Sequence, residues 1–153
     1  MTSKAGMRLI EVAKPFMQED EVVEVATVVI VGSVLGASGQ FGLLGAVVTA
    51  AADRSVSTEL VPGKQYLLLT NRRLIFFAMN QATGRPVAKV NAERGRAGLM
   101  AGPPKRGLMV TTVDVAVAGA EKGIRLRFPL PARADALAIA ESLANASARP
   151  SSI

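Results

Sequence analysis

The 153-residue chain has no cysteine, no histidine and no tryptophan, and only 4% of its residues are aromatic. Without cysteine there is no disulfide, no thiolate nucleophile and no thiolate-bound zinc, a usage that fits a reducing cytoplasm. Without histidine, the Ser-His and Cys-His catalytic pairs and the usual haem ligand are excluded as well. Catalysis would have to rest on Lys, Tyr66, Ser/Thr or carboxylates, and no constellation of these stands out. The phosphate-cradling GxxxxGK[ST] pattern is missing, and no GxGxxG follows a strand. Gly36-Ala-Ser-Gly39 is no nucleophile elbow, because its second glycine is misplaced and no histidine exists to activate Ser38. The expectation is a protein that is not an enzyme and carries no cofactor and no metal.

The length suits one domain spanning 1–153. The net charge of +6 is unevenly spread: residues 53–129 alone carry 13 basic and 5 acidic side chains. That middle stretch favours an anionic partner. Apolar residues reach 50%, helped by the charge-free run from Val25 to Ala52. The only acidic cluster, Glu19, Asp20, Glu21 and Glu24, lacks the ligand offsets of a calcium loop and reads as a solvated junction between helix and strand.

Leu9, Val12, Ala13 and Phe16 recur at helical spacing, so a short amphipathic helix is expected over 7–17, with Pro15 ending or kinking it. The β-branched residues of 20–31 predict the first strand. A Gly-rich apolar insert and linker follow over 32–58. The remaining strands are expected within 64–128. Gln65–Thr70 and Leu74–Met79 form a hairpin about Asn71-Arg72, and Asn80–Pro86 turns the chain again. Pro86–Val90 is a short strand, and Ala92–Gly107 is a basic connection with room for one more. Leu108–Val117 is another β-type run. Ile124, Leu126 and Phe128 alternate with Arg125 and Arg127, the period of a strand with one buried and one wet face. An Ala-rich helix over 131–146 presents Ala136, Ile139, Ala140 and Leu143 on one stripe, followed by a tail at 147–153.

The hairpin Tyr66-Leu-Leu-Leu-Thr-Asn-Arg-Arg-Leu-Ile-Phe-Phe77 resembles the signature of bacterial pleckstrin-homology-like (GRAM-like) domains. Thr70, Asn71, Arg73, Leu74 and Phe76 fill the family's turn and return positions. The resemblance implies an α+β, mainly β fold: a bent antiparallel sandwich or partly open barrel of about seven strands capped by the C-terminal helix. It also implies binding of membrane surfaces, anionic headgroups or protein partners without catalysis. The Gly-rich insert after the first strand departs from the family pattern.

Two sets of site candidates follow. Arg72 and Arg73 in the turn, with Arg85, Lys89, Arg94, Arg96, Lys105 and Arg106 beyond it, are candidates for anionic lipid or another polyanion. The competing readings are a capped turn whose Arg73 pairs with a carboxylate, and a solvated strand edge. Gly32, Gly36, Gly39, Phe41, Gly42, Leu43, Leu44 and Gly45 are candidates for self-association or membrane contact. For this run a segment packed on its own domain or a second copy, a membrane-embedded helix and a flexible loop all stay open. The function expected is a cytoplasmic recruitment module, peripheral or anchored at the inner face of a membrane and prone to form a homo-oligomer, that binds an anionic membrane or a protein partner. A self-assembling scaffold acting through the Gly-rich run is the alternative. A nonspecific nucleic-acid binder ranks third, since the chain offers few aromatics for base stacking.

Overall fold

Within the described residues of the computed structural model, 3–35, 62–120 and 122–148, two helices and eight strands follow in sequence. They are α1 (Lys4–Ala13), β1 (Val23–Leu35), β2 (Gly63–Thr70), β3 (Arg73–Met79), β4 (Pro86–Gly95), β5 (Leu99–Ala101), β6 (Lys105–Arg106), β7 (Val110–Val117), β8 (Lys122–Pro129) and α2 (Arg133–Ala148). Short 3-10 turns at Lys14–Phe16, Arg96–Gly98 and Leu130–Ala132 link them. The strands form one sheet in the order β4-β3-β2-β1-β8-β7-β5, with β6 pairing off the path to β7. Every described pairing is antiparallel. β4 and β5 end the path unjoined among the described residues, so the sheet is not closed into a barrel.

Around β2 and β3 the sheet is covered on both faces. On one, α2 lays Ala136, Ile139, Ala140 and Leu143 over a core that includes Leu67, Leu69, Leu74, Phe76, Leu126 and Phe128. On the other, Leu9 and Ala13 of α1 pack with Tyr66, Leu68, Ile75 and Phe77. The ring of Phe16 meets Phe77 edge-on, with centroids 5.5 Å apart. Double coverage accounts for the unbroken apolar runs of β2 and β3, because a strand buried on both sides has no wet face to mark with polar residues. β8 keeps the alternation instead: Ile124, Leu126 and Phe128 are buried and Arg127 is exposed.

Several boundaries differ from the sequence expectation. α1 begins at Lys4, where the Ser3 hydroxyl accepts from the Gly6 N–H, and the helix tightens to a 3-10 turn at Pro15. β1 starts at Val23 and continues past residue 31 to Leu35, where Ser33, Val34 and Leu35 pair with β8. Gly32 is therefore a strand residue opposite Arg125 and does not open a helical glycine ridge. β4 runs on to Gly95, and the rest of the basic connection supplies two short strands, making eight in place of about seven. β7 begins at Val110, so Leu108 and Met109 belong to a turn.

Two register shifts set polar residues aside from the ladder. Val23 pairs with Thr70 and Val25 with Leu69, leaving Glu24 as the extra residue of a bulge. Phe76 pairs with Ala92 and Phe77 with Val90, leaving Asn91 extra, and its amide donates to the Gln65 side-chain carbonyl at 3.0 Å.

Candidate functional site

The β2–β3 turn is fixed by its own side chains. The Thr70 hydroxyl oxygen accepts from the N–H groups of Arg72 and Arg73 at 3.1 and 3.0 Å. The Asn71 side-chain carbonyl accepts from the Val22 N–H at 2.8 Å, tying the turn to the start of β1. This is the chemistry by which Thr and Asn stabilise tight turns.

Around this turn the acidic cluster and the arginines meet. Arg73 donates from Nε to Glu21 Oε2 at 2.8 Å and from Nη2 to Glu21 Oε1 at 3.0 Å. Its remaining donors reach Glu93 at 2.9 Å and the Phe16 carbonyl at 2.6 Å. The Glu21 side chain is fully shielded from solvent. Hydrogen bonding from Arg73 holds its carboxyl at about 2, well below the usual carboxylate value, against the opposing effect of burial. Arg72 pairs with Asp20. Arg96 donates to Glu24 at 2.7 Å, to the Thr70 carbonyl at 2.9 Å and to Ser142 of α2. Glu21 and Glu24 are thus anchors for the turn and for α2, where the sequence reading had a solvated junction.

The eight candidate cations therefore separate. Arg72, Arg73, Arg94 and Arg96 gather about the Thr70 turn. Carboxylates engage Arg72, Arg73 and Arg96; Arg94 donates, among its contacts, to the Glu93 carbonyl at 2.7 Å, and burial pushes its pKa down. Arg85 lies in the β3–β4 turn and Lys89 on β4, at one end of the strand path. Lys105 and Arg106 lie on β6, beside β7. These last four are exposed, and among the described residues none of them forms an ion pair. Arg125 is engaged by the buried Asp114, with bonds of 2.8 and 3.0 Å.

Of the candidates for self-association, Gly36, Gly39, Phe41, Gly42, Leu43, Leu44 and Gly45 lie outside the described residues. Among the described residues, no helix is long and apolar enough to cross a membrane, and no group of three acidic side chains could hold a metal ion.

Two features escaped the sequence reading. One is a cleft of about 430 Å³ between the N-terminal segment, β1 and the approach to α2, lined by Val28, Lys64, Met79, Pro129 and Asp135 among others. None of the eight cations borders it. The other is the β6–β7 hairpin tip, where Leu108 and Met109 face solvent directly after Lys105 and Arg106. Its signal is the string Lys-Arg-Gly-Leu-Met, a basic pair, a glycine and two apolar residues in place of the polar residues usual in a turn.

The chain matches no protein-family model, and no curated protein resembles it in sequence.

Proposed function

We propose that this chain is a non-catalytic recruitment module of the pleckstrin-homology-like type that docks peripherally on an anionic membrane surface, at the inner face in a cytoplasmic setting. Supporting the architecture are an antiparallel sheet in the order β4-β3-β2-β1-β8-β7-β5, a C-terminal helix laid on one face, and the Thr-Asn-Arg turn of the β2–β3 hairpin. The observation that carries the functional reading is the division of the cations. Acidic partners occupy Arg72, Arg73 and Arg96, whereas Arg85, Lys89, Lys105 and Arg106 are exposed and form no ion pair among the described residues. A basic side chain near an acidic leaflet contributes about 1 kcal/mol, and that attraction falls off within a Debye length. The binding is therefore weak and salt-sensitive.

Liposome flotation tests the reading. The full chain is expected to rise with phosphatidylserine-containing vesicles at low salt, to rise less at physiological salt, and to stay behind with pure phosphatidylcholine. Failure to float on acidic vesicles at low salt would overturn it.

A further inference from the structure

We infer that the β6–β7 hairpin tip is the element that enters the interface of an acidic bilayer, with Leu108 and Met109 as the inserted side chains. The inference rests on the membrane reading above and assigns it a surface. Leu108 is 92% exposed and Met109 71%, two adjacent large apolar side chains at the end of a ribbon. Val110 and Pro129 form the last pair of β7 and β8, so Met109 and Leu130 each stand one residue beyond it at the same end. Leu130 is itself 46% exposed and extends the apolar corner.

The tip is held in shape before any partner arrives. The Gly107 N–H donates to the Val110 carbonyl at 2.8 Å, and the Arg133 guanidinium donates to the Gly107 carbonyl at 2.8 Å. A Cβ on Gly107 would come within 2.7 Å of the Val110 oxygen, so the close turn needs glycine there. A preformed tip loses little conformational freedom on docking.

Cations flank the ribbon on both faces. Lys105 pairs with Thr112, which pairs with Arg127, and the three share one face. Arg106 pairs with Thr111 opposite Phe128, on the other. Lys105, Arg106 and Arg127 are all exposed, and the sequence has no acidic residue from Gly102 to Val113. Lys105 lies three residues from Leu108, which corresponds to about 10 Å of extended chain at ~3.4 Å per residue. That offset places the cations among the headgroups when the tip reaches the acyl boundary, the depth of an interfacial anchor. A second copy fits this surface poorly. A stable dimer buries roughly 800 Å² on each partner, and a two-fold contact through this corner would set its cations against each other.

The chain has no tryptophan, so Leu108→Trp introduces a single indole, excited selectively over Tyr66, at a solvent-exposed position. On phosphatidylserine vesicles its emission is expected to shift to the blue and to be quenched by brominated acyl chains. A Leu108→Ser/Met109→Ser variant, with its melting temperature unchanged, is expected to lose about tenfold or more in vesicle affinity. A chain that floats while the Leu108→Trp emission stays that of water overturns the insertion and leaves the membrane reading standing. No flotation of the unaltered chain removes the membrane reading, and the insertion with it. A lipid-independent blue shift that grows with protein concentration would mean that a second copy covers the tip, and would overturn the inference.

Discussion

The guanidinium of Arg73 closes on the carboxylate of Glu21 as a two-bond fork, joining residues 52 apart in sequence. The pair ties the β2–β3 turn to the chain entering β1, and Glu93 on β4 takes a further Arg73 donor. The turn the sequence offered as an anion site thus already has its anions, supplied by the protein's own acidic cluster.

Glu21→Gln is expected to destabilise the fold by about 2–4 kcal/mol, because Arg73, mostly buried, would lose the charge that compensates it. The same pair makes stability depend on acid. The carboxyl falls from 4.5 to about 2 on folding. At about 1.4 kcal/mol per tenfold change this is on the order of 3 kcal/mol, fully present above pH 4.5 and lost as the pH falls towards 2. Urea melts between pH 6 and pH 2 check both statements: Glu21→Gln should flatten the acid-side slope. The exposed partner Asp20 gives the contrast, since Asp20→Asn should change stability by less than about 1 kcal/mol.

Arg96 links three elements through Glu24, the Thr70 carbonyl and Ser142. Arg96→Lys should cost nearly as much as Arg96→Ala, about 1–3 kcal/mol, because one ammonium cannot reproduce a planar fork that spans three partners. Faster hydrogen exchange concentrated in α2 would register the lost tie, whereas full rescue by lysine would contradict it.

Leu9 is completely buried against the β2–β3 face. Leu9→Ala should lower stability by about 2–5 kcal/mol. Removal of residues 1–17 would uncover Leu68, Ile75 and Phe77 and raise binding of hydrophobic dyes. A truncated chain as stable as the whole would mean that α1 does not serve as the second cover of the sheet.

What could be read in advance was the local chemistry. Arg125 and Arg127 alternating with Ile124, Leu126 and Phe128 reported a one-sided strand, Thr70-Asn71 reported a tight turn, and the Ala136, Ile139, Ala140, Leu143 stripe reported the closing helix. The role of α1 could not be read, because a strand buried on both faces has the same apolar string whichever element covers it. β4 outruns its expected end at Val90 because Asn91, Glu93 and Arg94 carry the polar character of a path-end strand. At the candidate site, the arginines and acids were both visible, but their pairing across about fifty residues is a product of the sheet register. The hairpin tip reads as strand in the sequence because Leu108, Met109 and Val110 form one apolar string, of which only Val110 enters the ladder.

The most direct test is to compare Lys105→Gln/Arg106→Gln with Arg72→Gln in flotation on phosphatidylserine vesicles. Removing these two exposed cations should weaken binding by about tenfold to thirtyfold. Removing Arg72, already neutralised by Asp20, should leave it within about twofold. Equal losses, or a larger loss from Arg72→Gln, would return the anion site to the turn and contradict the assignment of the β6–β7 hairpin as the membrane-facing surface.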